Sequence, residues 1–525
     1  MKQIVLILFF LSPNCVFFAQ ERPNVLFILA DDLGIDAITG FGVTHNNFAT
    51  TPNLDLLKAE GISYLNAWAT PQCAPTRASI ISGRYGINTG VREVPGNLDV
   101  SDESIFNYLD RETNNAYSTA VIGKWHISSP FSTDQISEHG VDHFEGISGG
   151  AVQDYFVWDK VRPNGSVAEI EEYITTHLTN AAIDWIDDQT QPWFLWLSHV
   201  APHSPFQRPP DSLFTIDNPT TNRQLYNASI EALDHEIGRL LNSMDSETRN
   251  NTIVIFMGDN GTPRNVLQGL PNGHGKGTMF EGGVKVPMIV SGHGVSRSGE
   301  VEFGLTQAND IYATLIEVCS NDLPGGIHNS YSIRSSFTQA NAIERNYIYT
   351  DYLDDGLELW AVRTDEYKLI EGADGSQAFY RIDQPTYEDV NLIGNLSDAE
   401  VEIFDDLVLE AESIRNGWSC RDLILNGEEL TIDDCNDNVT TSTDIVAESD
   451  AINIYPNPSS SDITISVESG DYAVRILDAV GAEHQNLNIS GTEIIDIDTL
   501  PVGLYFVEIT NNQNSKLCLT KIIKQ

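Results

Sequence analysis

The sequence predicts an α/β main domain: a mostly parallel sheet covered by helices. A smaller antiparallel α+β subdomain follows, and then a small all-β sandwich. Three observations predict this. Strand-length apolar runs alternate with segments of helical period, the mark of α/β architecture. The runs are continuous rather than alternating, as in parallel strands buried on both faces. From about Asn346 the pattern changes to short strands separated by turns.

Met1 to Gln20 reads as a secretory signal. Lys2 supplies the positive start, Ile4 to Leu11 the apolar core, and Phe18-Ala19-Gln20 the cleavage region. The apolar run is too short for a membrane span, and the mature chain is expected to have no transmembrane segment. The main α/β domain is expected over residues 21–340.

Four strands define that domain. Asn24 to Ala30 (NVLFILA) ends at Asp31-Asp32-Leu33-Gly34. Ala120 to Ile122 ends at Gly123-Lys124-Trp125-His126. Trp193 to Leu197 (WFLWL) ends at Ser198-His199 and then Ala201-Pro202-His203. Ile253 to Met257 (IVIFM) ends at Gly258-Asp259-Asn260-Gly261. Helical period is clear from Gln224 to Met244, where Leu225, Ile230, Leu233, Ile237, Leu240, Leu241 and Met244 share one face. In open sheets of this kind ligands bind beyond the carboxyl ends of the strands. The four polar loops therefore point to one site.

The α+β subdomain is expected over residues 341–425. Its strands are Tyr347 to Tyr349, Leu359 to Val362, Tyr367 to Ile370 and Ala378 to Ile382, and an acidic helix runs from Ser397 to about Ile414. Residues 426–450 are expected to be a linker, polar and rich in Thr, Ser and Asp from Asn436 to Asp450. The β-sandwich occupies residues 451–525, with strands at Ile463 to Val467, Tyr472 to Leu477 and Leu504 to Ile509. It carries no cluster of acids, bases or metal ligands and is assigned no chemistry.

A formal charge of −46 and a pI near 4.3 speak against nucleic acid as a partner, which needs a basic footprint. They fit a secreted protein kept soluble by self-repulsion. An anionic substrate then requires a locally basic site. Cleavage of the signal leaves Cys73, Cys319, Cys420, Cys435 and Cys518. Cys420 and Cys435 are near enough to pair, and export permits it. No cysteine spacing matches a zinc site.

Asp31-Asp32 and Asp259-Asn260 make an oxygen-rich set suited to a hard divalent cation, although Asp and Asn before Gly are also ordinary turn residues. Lys124, His126, His203 and Lys276 could bind a tetrahedral dianion and handle protons. His199, His274 and His293 are also available. Cys73 starts the stretch Cys73-Ala74-Pro75-Thr76-Arg77-Ala78-Ser79, and Pro75 suits the first turn of a helix. A helix N-terminus there favours an anion or a thiolate. Cys73 alone could be a buried thiol, half of a disulfide, or a nucleophile.

These residues together resemble the type I, formylglycine-dependent sulfatases of the alkaline phosphatase superfamily. Cys73 to Arg77 followed by Ala78-Ser79 to Gly83-Arg84 is similar to that family's signature. Asn24 to Gly34, Gly123 to His126, Ala201 to Pro205, Gly258 to Gly261 and Gly275 to Pro287 resemble its other blocks, in order. The resemblance runs from about Arg22 to Gly417, with Thr76 where serine is frequent and Ile127-Ser128 in place of Leu-Gly. Ser148 is the candidate for a serine that binds sulfate in some members.

The resemblance implies an alkaline-phosphatase-like fold and oxidation of Cys73 to formylglycine by a separate formylglycine-generating enzyme. It implies a cation, Ca²⁺ with Mg²⁺ as the alternative, on Asp31, Asp32, residue 73, Asp259 and Asn260. One hydroxyl of the hydrated aldehyde attacks sulfur, with Asp259 as base. The alcohol leaves with a proton from His203 or Lys276. The second hydroxyl, deprotonated by His126, expels sulfate. Arg77 and Lys124 hold the diol and compensate charge, while Lys124, His203 and Lys276 also contact substrate. A serine at 73 could accept the sulfo group but could not release it this way.

The tail, from Ile454-Tyr455-Pro456-Asn457-Pro458 to Lys521-Ile522-Ile523-Lys524, resembles the C-terminal sorting domain of type IX secretion. That implies the type IX machinery as a partner, and export through the periplasm of a Gram-negative bacterium to the surface or the medium. The expected function is hydrolysis of sulfate esters, those of sulfated poly- or oligosaccharides first and small aryl sulfates besides. A phosphodiester or phosphonate monoester hydrolase of the same superfamily is the alternative. A non-catalytic protein binding sulfated glycan is a third reading, opposed by the complete set of acids, bases and cations. Substrate-recognising side chains are expected on Ser148 to Lys160 and Phe206 to Asn222, with Arg92 and Arg208 as candidate anion contacts or merely surface arginines.

Overall fold

In the computed structural model the described residues are 22–128, 134–322, 327–382 and 388–415, and from 453 onward the seven strands with residues 490–500. The signal, the linker, Cys420 and Cys435 lie outside them. Contacts divide the chain into two units, residues 1–411 and 412–525.

The strands of the first unit are β1 (Asn24–Ala30), β2 (Ile62–Tyr64), β3 (Ala67–Trp68), β4 (Ser118–Lys124), β5 (His143–Ile147), β6 (Trp158–Val161), β7 (Val167–Ile170), β8 (Trp193–Ser198), β9 (Thr252–Gly258), β10 (Met288–Gly292), β11 (Glu300–Glu302), β12 (Thr306–Gln307), β13 (Ile348–Asp354), β14 (Leu357–Arg363), β15 (Tyr367–Gly372) and β16 (Gln377–Arg381). Ten of them form one sheet in the order β11-β2-β10-β9-β1-β8-β4-β5-β6-β7. β9, β1, β8, β4 and β5 run parallel at its centre. β10 is antiparallel to β9 and to β2, and β6 and β7 close the other edge antiparallel.

The apolar runs explain this order. Every residue of β1 is buried. Val25, Phe27 and Leu29 face one core; Leu26, Ile28 and Ala30 face the other. Strand side chains alternate between faces, so a strand covered on both sides needs apolar residues at every position. Helix Asn222–Ser243 covers one face through Tyr226, Ile230, Leu233, Ile237 and Leu240. A capping box of Thr221 and Gln224 starts it. Helices Cys73–Ser82 and Asp310–Ser320 cover the other face. The four strand ends flagged by the sequence therefore share one edge of a parallel array.

β13 to β16 form a four-stranded antiparallel sheet, and helix Asp398–Arg415 follows. This subdomain meets the main domain through a buried ion network. Glu281 accepts from Arg363 at 3.1 Å, Lys368 at 3.1 Å and the Trp68 indole at 3.0 Å. Lys368 also donates to Glu388 at 2.8 Å, and Lys285 lies 3.9 Å from Glu281. Three cations thus face two carboxylates. Lys285 carries the excess: burial, aided by Arg363 and Lys368, pushes its ammonium down to about 8 against the pull of Glu281.

Removing a partner from a buried pair costs about 3–5 kcal/mol, so Lys368→Met, which strips Glu388 of its cation, is expected to lower the unfolding temperature sharply. Lys285→Met restores balance and is expected to raise it. A lysine whose folded value is depressed favours the unfolded state fully below pH 8 and not at all above its ordinary 10.5. The gain from Lys285→Met should therefore be complete at pH 7 and fade between those limits. Thermal unfolding of both variants from pH 7 to 10 checks this.

The second unit has two antiparallel sheets, in the orders β17-β18-β21 and β20-β19-β22-β23. Their strands are β17 (Asn453–Tyr455), β18 (Asp462–Ser466), β19 (Tyr472–Asp478), β20 (Glu483–Ile489), β21 (Thr492–Asp496), β22 (Gly503–Asn511) and β23 (Lys516–Lys524). Ile463, Ile465, Val474, Ile476, Ile495, Val507 and Ile509 fill the core between them. It is the sandwich that alternation predicts.

Candidate active site

Four loops at the carboxyl edge of the sheet and one helix start build the site. β1 delivers Asp31 and Asp32, both buried. The Asp32 backbone turns into the left-handed region at φ 69, and its amide donates to Asp259 Oδ1 at 2.9 Å. β9 delivers Asp259 and Asn260. Asn260 donates through Nδ2 to Asp32 Oδ1 at 2.8 Å. β4 runs two residues further than its apolar core predicts, so Lys124 is the last residue of the strand rather than part of the loop. Its ammonium pairs with Asp31 at 2.6 Å, both groups fully buried.

Cys73 is the first residue of helix Cys73–Ser82, with Gln72 as its cap and Pro75 in its first turn. Thr76 Oγ1 accepts from the Thr70 amide at 3.0 Å, which fixes the approach to the helix. Arg77, one turn on, is fully buried. It donates to Asp259 Oδ2 at 2.8 Å, to the Lys124 carbonyl at 2.6 Å and to Ser198 Oγ at 2.5 Å. Cys73 Sγ stands 3.2 Å from His126 Nδ1.

His203 and Lys276 are the more exposed members, their side chains 16% and 21% accessible. They form the mouth above a buried floor. Lys276 pairs with Asp32 Oδ1, and His203 Nε2 lies 3.7 Å from Asp32 Oδ2. Asp31, Asp32, Cys73, Arg77, Lys124, His126, His203, Asp259, Asn260 and Lys276 thus lie in one contiguous cluster.

Electrostatics separate their roles. Burial raises the Cys73 thiol, and Asp31 and Asp259 add to the rise against Lys124 and Lys276. The helix N-terminus does not make it a thiolate. Burial, then Lys124 and Arg77, pushes His126 down to about 2, so its imidazole is neutral. Burial opposes the charge on Lys276, but Asp32, Cys73, Asp31 and Asp259 outweigh it and keep the ammonium charged. Burial also works against Asp31, yet Lys124, His203, Arg77 and Lys276 hold it well below the carboxylate range. Asp259 is left behind: burial and the Asp31 charge push it up to about 6 despite Arg77 and Lys124.

That imbalance fits a missing positive charge. Asp31, Cys73 and Asp259 each bring one ligand atom within 4.8 Å of the others, and Asp31, Asp32 and His203 do the same. Asp31 Oδ1 and Asn260 Oδ1 are buried without a hydrogen-bond partner among the described residues. Buried oxygens left unpaired are costly, and an oxygen-rich anionic set of this kind suits Ca²⁺ or Mg²⁺.

The other histidines stand apart. His199 is fully buried, pushed down to about 3 by burial, and neither ring nitrogen has a partner among the described residues. His274 stacks on Phe280 at 3.7 Å, and His293 is exposed at the end of β10. Ser148 accepts the His126 amide through its carbonyl at 3.1 Å. Arg208 pairs with Asp211 at 2.8 Å on the surface, as the surface-arginine reading expects; Arg92 is instead buried and committed to Asp351 at 2.6 Å and Glu358 at 2.9 Å, a structural pair rather than an anion contact or a surface arginine.

Sequence reasoning missed Ser198, which accepts from Arg77 and donates to the Lys124 carbonyl at 2.6 Å. Its only signal is its place as the first polar residue after WFLWL. Two glycines were also missed. A Cβ on Gly150 would stand 2.3 Å from His126 Nε2, and one on Gly123, at φ 117, would stand 1.9 Å from the Ser198 carbonyl oxygen. Neither position tolerates a side chain without displacing the site.

A family model described as Sulfatase matches residues 23–320, and one described as Secretion system C-terminal sorting domain matches residues 453–525. The chain is 28% identical over 402 residues to arylsulfatase J of Mus musculus, covering 68% of this chain and 65% of that one. It is 25% identical over 488 residues to an arylsulfatase of Clostridium perfringens, covering 77% and 98%. It is 28% identical over 336 residues to N-acetylgalactosamine-6-sulfatase of Homo sapiens, covering 56% and 62%. The chain thus spans under two thirds of the length of both mammalian relatives. The crystal structure of Ps i-CgsB in complex with k-i-k-neocarrahexaose superposes with a TM-score of 0.61 at 23% identity, covering 75% of this chain and 92% of that one; this likeness shows a shared fold.

Proposed function

This chain belongs to the sulfatase family, a family of sulfuric ester hydrolases, and from that premise we propose that it releases sulfate from sulfated saccharides outside the cell. Cys73 is converted to formylglycine. Asp31, Asp32, residue 73, Asp259 and Asn260 hold one divalent cation, Ca²⁺ rather than Mg²⁺, because a crowded carboxylate set suits the larger and less rigid coordination of calcium. The observation that carries the reading is the placement of Cys73. It opens a buried helix, shares a ligand-distance cluster with Asp31 and Asp259, and lies 3.2 Å from His126.

When present, the two groups supply paired hydroxyls on the residue-73 carbon for in-line attack on sulfur, and Lewis-acid polarisation of sulfate oxygens. The remaining work falls to this chain's side chains. Lys124 and Lys276 bring positive charge to the sulfate from the floor and the mouth. Arg77, fixed by Asp259, Ser198 and the Lys124 carbonyl, locks the floor. His126, its Nδ1 3.2 Å from Cys73 Sγ, is assigned to accept the proton whose removal releases sulfate. Lys276 stays charged, which suits charge compensation better than proton donation. Protonation of the departing alcohol is therefore assigned to His203.

Saccharide as the leaving group is supported by the sulfated sugar in the name of the human relative and by the sorting domain, which indicates export or the cell surface. The route through the periplasm of a Gram-negative bacterium is part of the same reading. Among the described residues no helix is long and apolar enough to cross a membrane.

The test uses protein from a host that can oxidise Cys73. Turnover of 4-nitrophenyl sulfate and of sulfated mono- and oligosaccharides is compared with turnover of bis(4-nitrophenyl) phosphate. Faster sulfate release is expected. Preference for the phosphodiester would move the protein to the diesterase branch of the superfamily. Binding of sulfated glycan with no turnover of either ester would make it a lectin-like protein.

A further inference from the structure

We propose that Tyr155 is a positioning residue for His203, holding the segment that presents the imidazole to the leaving oxygen. The inference rests on the assignment of His203 as proton donor.

The segment from Val200 to Pro210 has no helix or strand to set its place. The Asp31 amide holds its start through the Ala201 carbonyl at 3.1 Å, and Tyr155 ties the part that carries His203 from 48 residues away. Its ring is buried, 2% exposed, and packs beside Tyr173 with ring centroids 5.9 Å apart. Its hydroxyl donates to the carbonyl of His203 at 2.5 Å, with the Val200 carbonyl at 3.1 Å as a second acceptor. Val200 O also accepts the His203 amide at 2.9 Å. One phenol thus closes the turn that carries the imidazole.

A second tie grips the same segment beyond His203. The Tyr155 amide donates to Gln207 Oε1 at 2.6 Å, and Gln207 Nε2 donates to Asp154 Oδ2 at 3.0 Å. His203 is therefore bracketed by two anchors on Asp154 and Tyr155. Its ring is fixed in turn. Nδ1 faces the Ser204 carbonyl at 2.6 Å, and a carbonyl can only accept, so Nδ1 carries a proton. Nε2 is left to face the mouth beside Asp32.

The role predicts a specific defect. As the sulfur–oxygen bond breaks, its electron pair goes to the alcohol oxygen, which takes the proton from His203 Nε2 and leaves as neutral alcohol. An acidic phenol departs without that proton; a sugar hydroxyl does not. Well-placed general acid catalysis is worth about 10²–10⁴-fold. A displaced imidazole loses part of that, and loses it where the leaving group is most basic.

Tyr155→Phe keeps the ring and removes the hydroxyl. We compare kcat/KM for it, His203→Ala and wild type on aryl sulfates of graded phenol acidity and on a sulfated monosaccharide, with thermal unfolding to establish the fold. For Tyr155→Phe the loss is expected to reach about 10–100-fold on the saccharide, a fraction of the general-acid term, and to be several-fold smaller on 4-nitrophenyl sulfate. In Tyr155→Phe/His203→Ala no further selective loss is expected, because the tyrosine acts through the histidine. A uniform loss across leaving groups, or none, while His203→Ala is selective, overturns the role of Tyr155 alone. A His203→Ala variant with no leaving-group selectivity overturns the assignment of His203 and the inference with it.

Discussion

Cys73→Ala is expected to abolish sulfate release, by about 10⁵-fold or more on the scale of nucleophile deletions, while unfolding close to the wild-type temperature. The side chain is small, and its one hydrogen-bond partner among the described residues is His126. Alanine therefore leaves a minor cavity and no stranded charge. The thiol itself is a poor candidate for the nucleophile, since burial raises it and two carboxylates lie beside it. Cys73→Ser sharpens the test. A serine hydroxyl in this place can attack sulfur once, but its carbon has no second hydroxyl with which to expel sulfate. Single-turnover product with no steady state is the expected result. The companion measurement is the mass of the peptide holding residue 73 from active protein. It should be lighter than the cysteine peptide, with carbonyl oxygen in place of the thiol. An unmodified thiol in fully active protein would refute the formylglycine reading outright.

The fold was legible where physics acts on neighbouring residues. β1 and β9 announce themselves because strands covered on both faces need an apolar residue at every position. The polar loops after them read as one site because parallel strands end at the same edge. β2 and β11 escaped notice: each has three residues, and β11 is Glu-Val-Glu, so neither length nor polarity marks it. β10 was missed although it is apolar, and it is the strand that turns the sheet antiparallel beyond β9.

The site shows the same division. Asp31, Asp32, Asp259 and Asn260 were visible because acids at apolar strand ends are conspicuous. The contacts that orient them were not. Arg77 meets Asp259 across 182 residues and Ser198 across 121, and no periodicity encodes such pairs. Gly150 is required by the His126 ring and by nothing in its own neighbourhood.

Removal of the divalent cation is the second large effect expected, and it should show in stability as well as rate. Without the ion, Asp259 is pushed up to about 6, so the folded chain binds a proton that the unfolded chain has released. Stability of the cation-free protein should therefore fall as pH rises from the ordinary carboxylate value near 3.8 through 6, with the cost fully present above. At the proposed site, calcium is expected to reverse this by binding only the ionised carboxylates. Its affinity should then weaken below pH 6 by up to about tenfold per pH unit, with uptake of calcium releasing a proton there. Calcium at 100 times its Kd stabilises by about 2.7 kcal/mol, which unfolding scans at pH 7 with chelator or with calcium would resolve. Chelated enzyme is expected to lose turnover by at least about 10²–10³-fold, the scale of one removed electrostatic stabiliser, and to recover it with Ca²⁺ more fully than with Mg²⁺. Asp259→Asn tests the origin of the pH step. The amide cannot titrate, so the variant should bind calcium weakly at every pH and show no break near 6. A break that survives in Asp259→Asn would assign the proton to another carboxylate of the site.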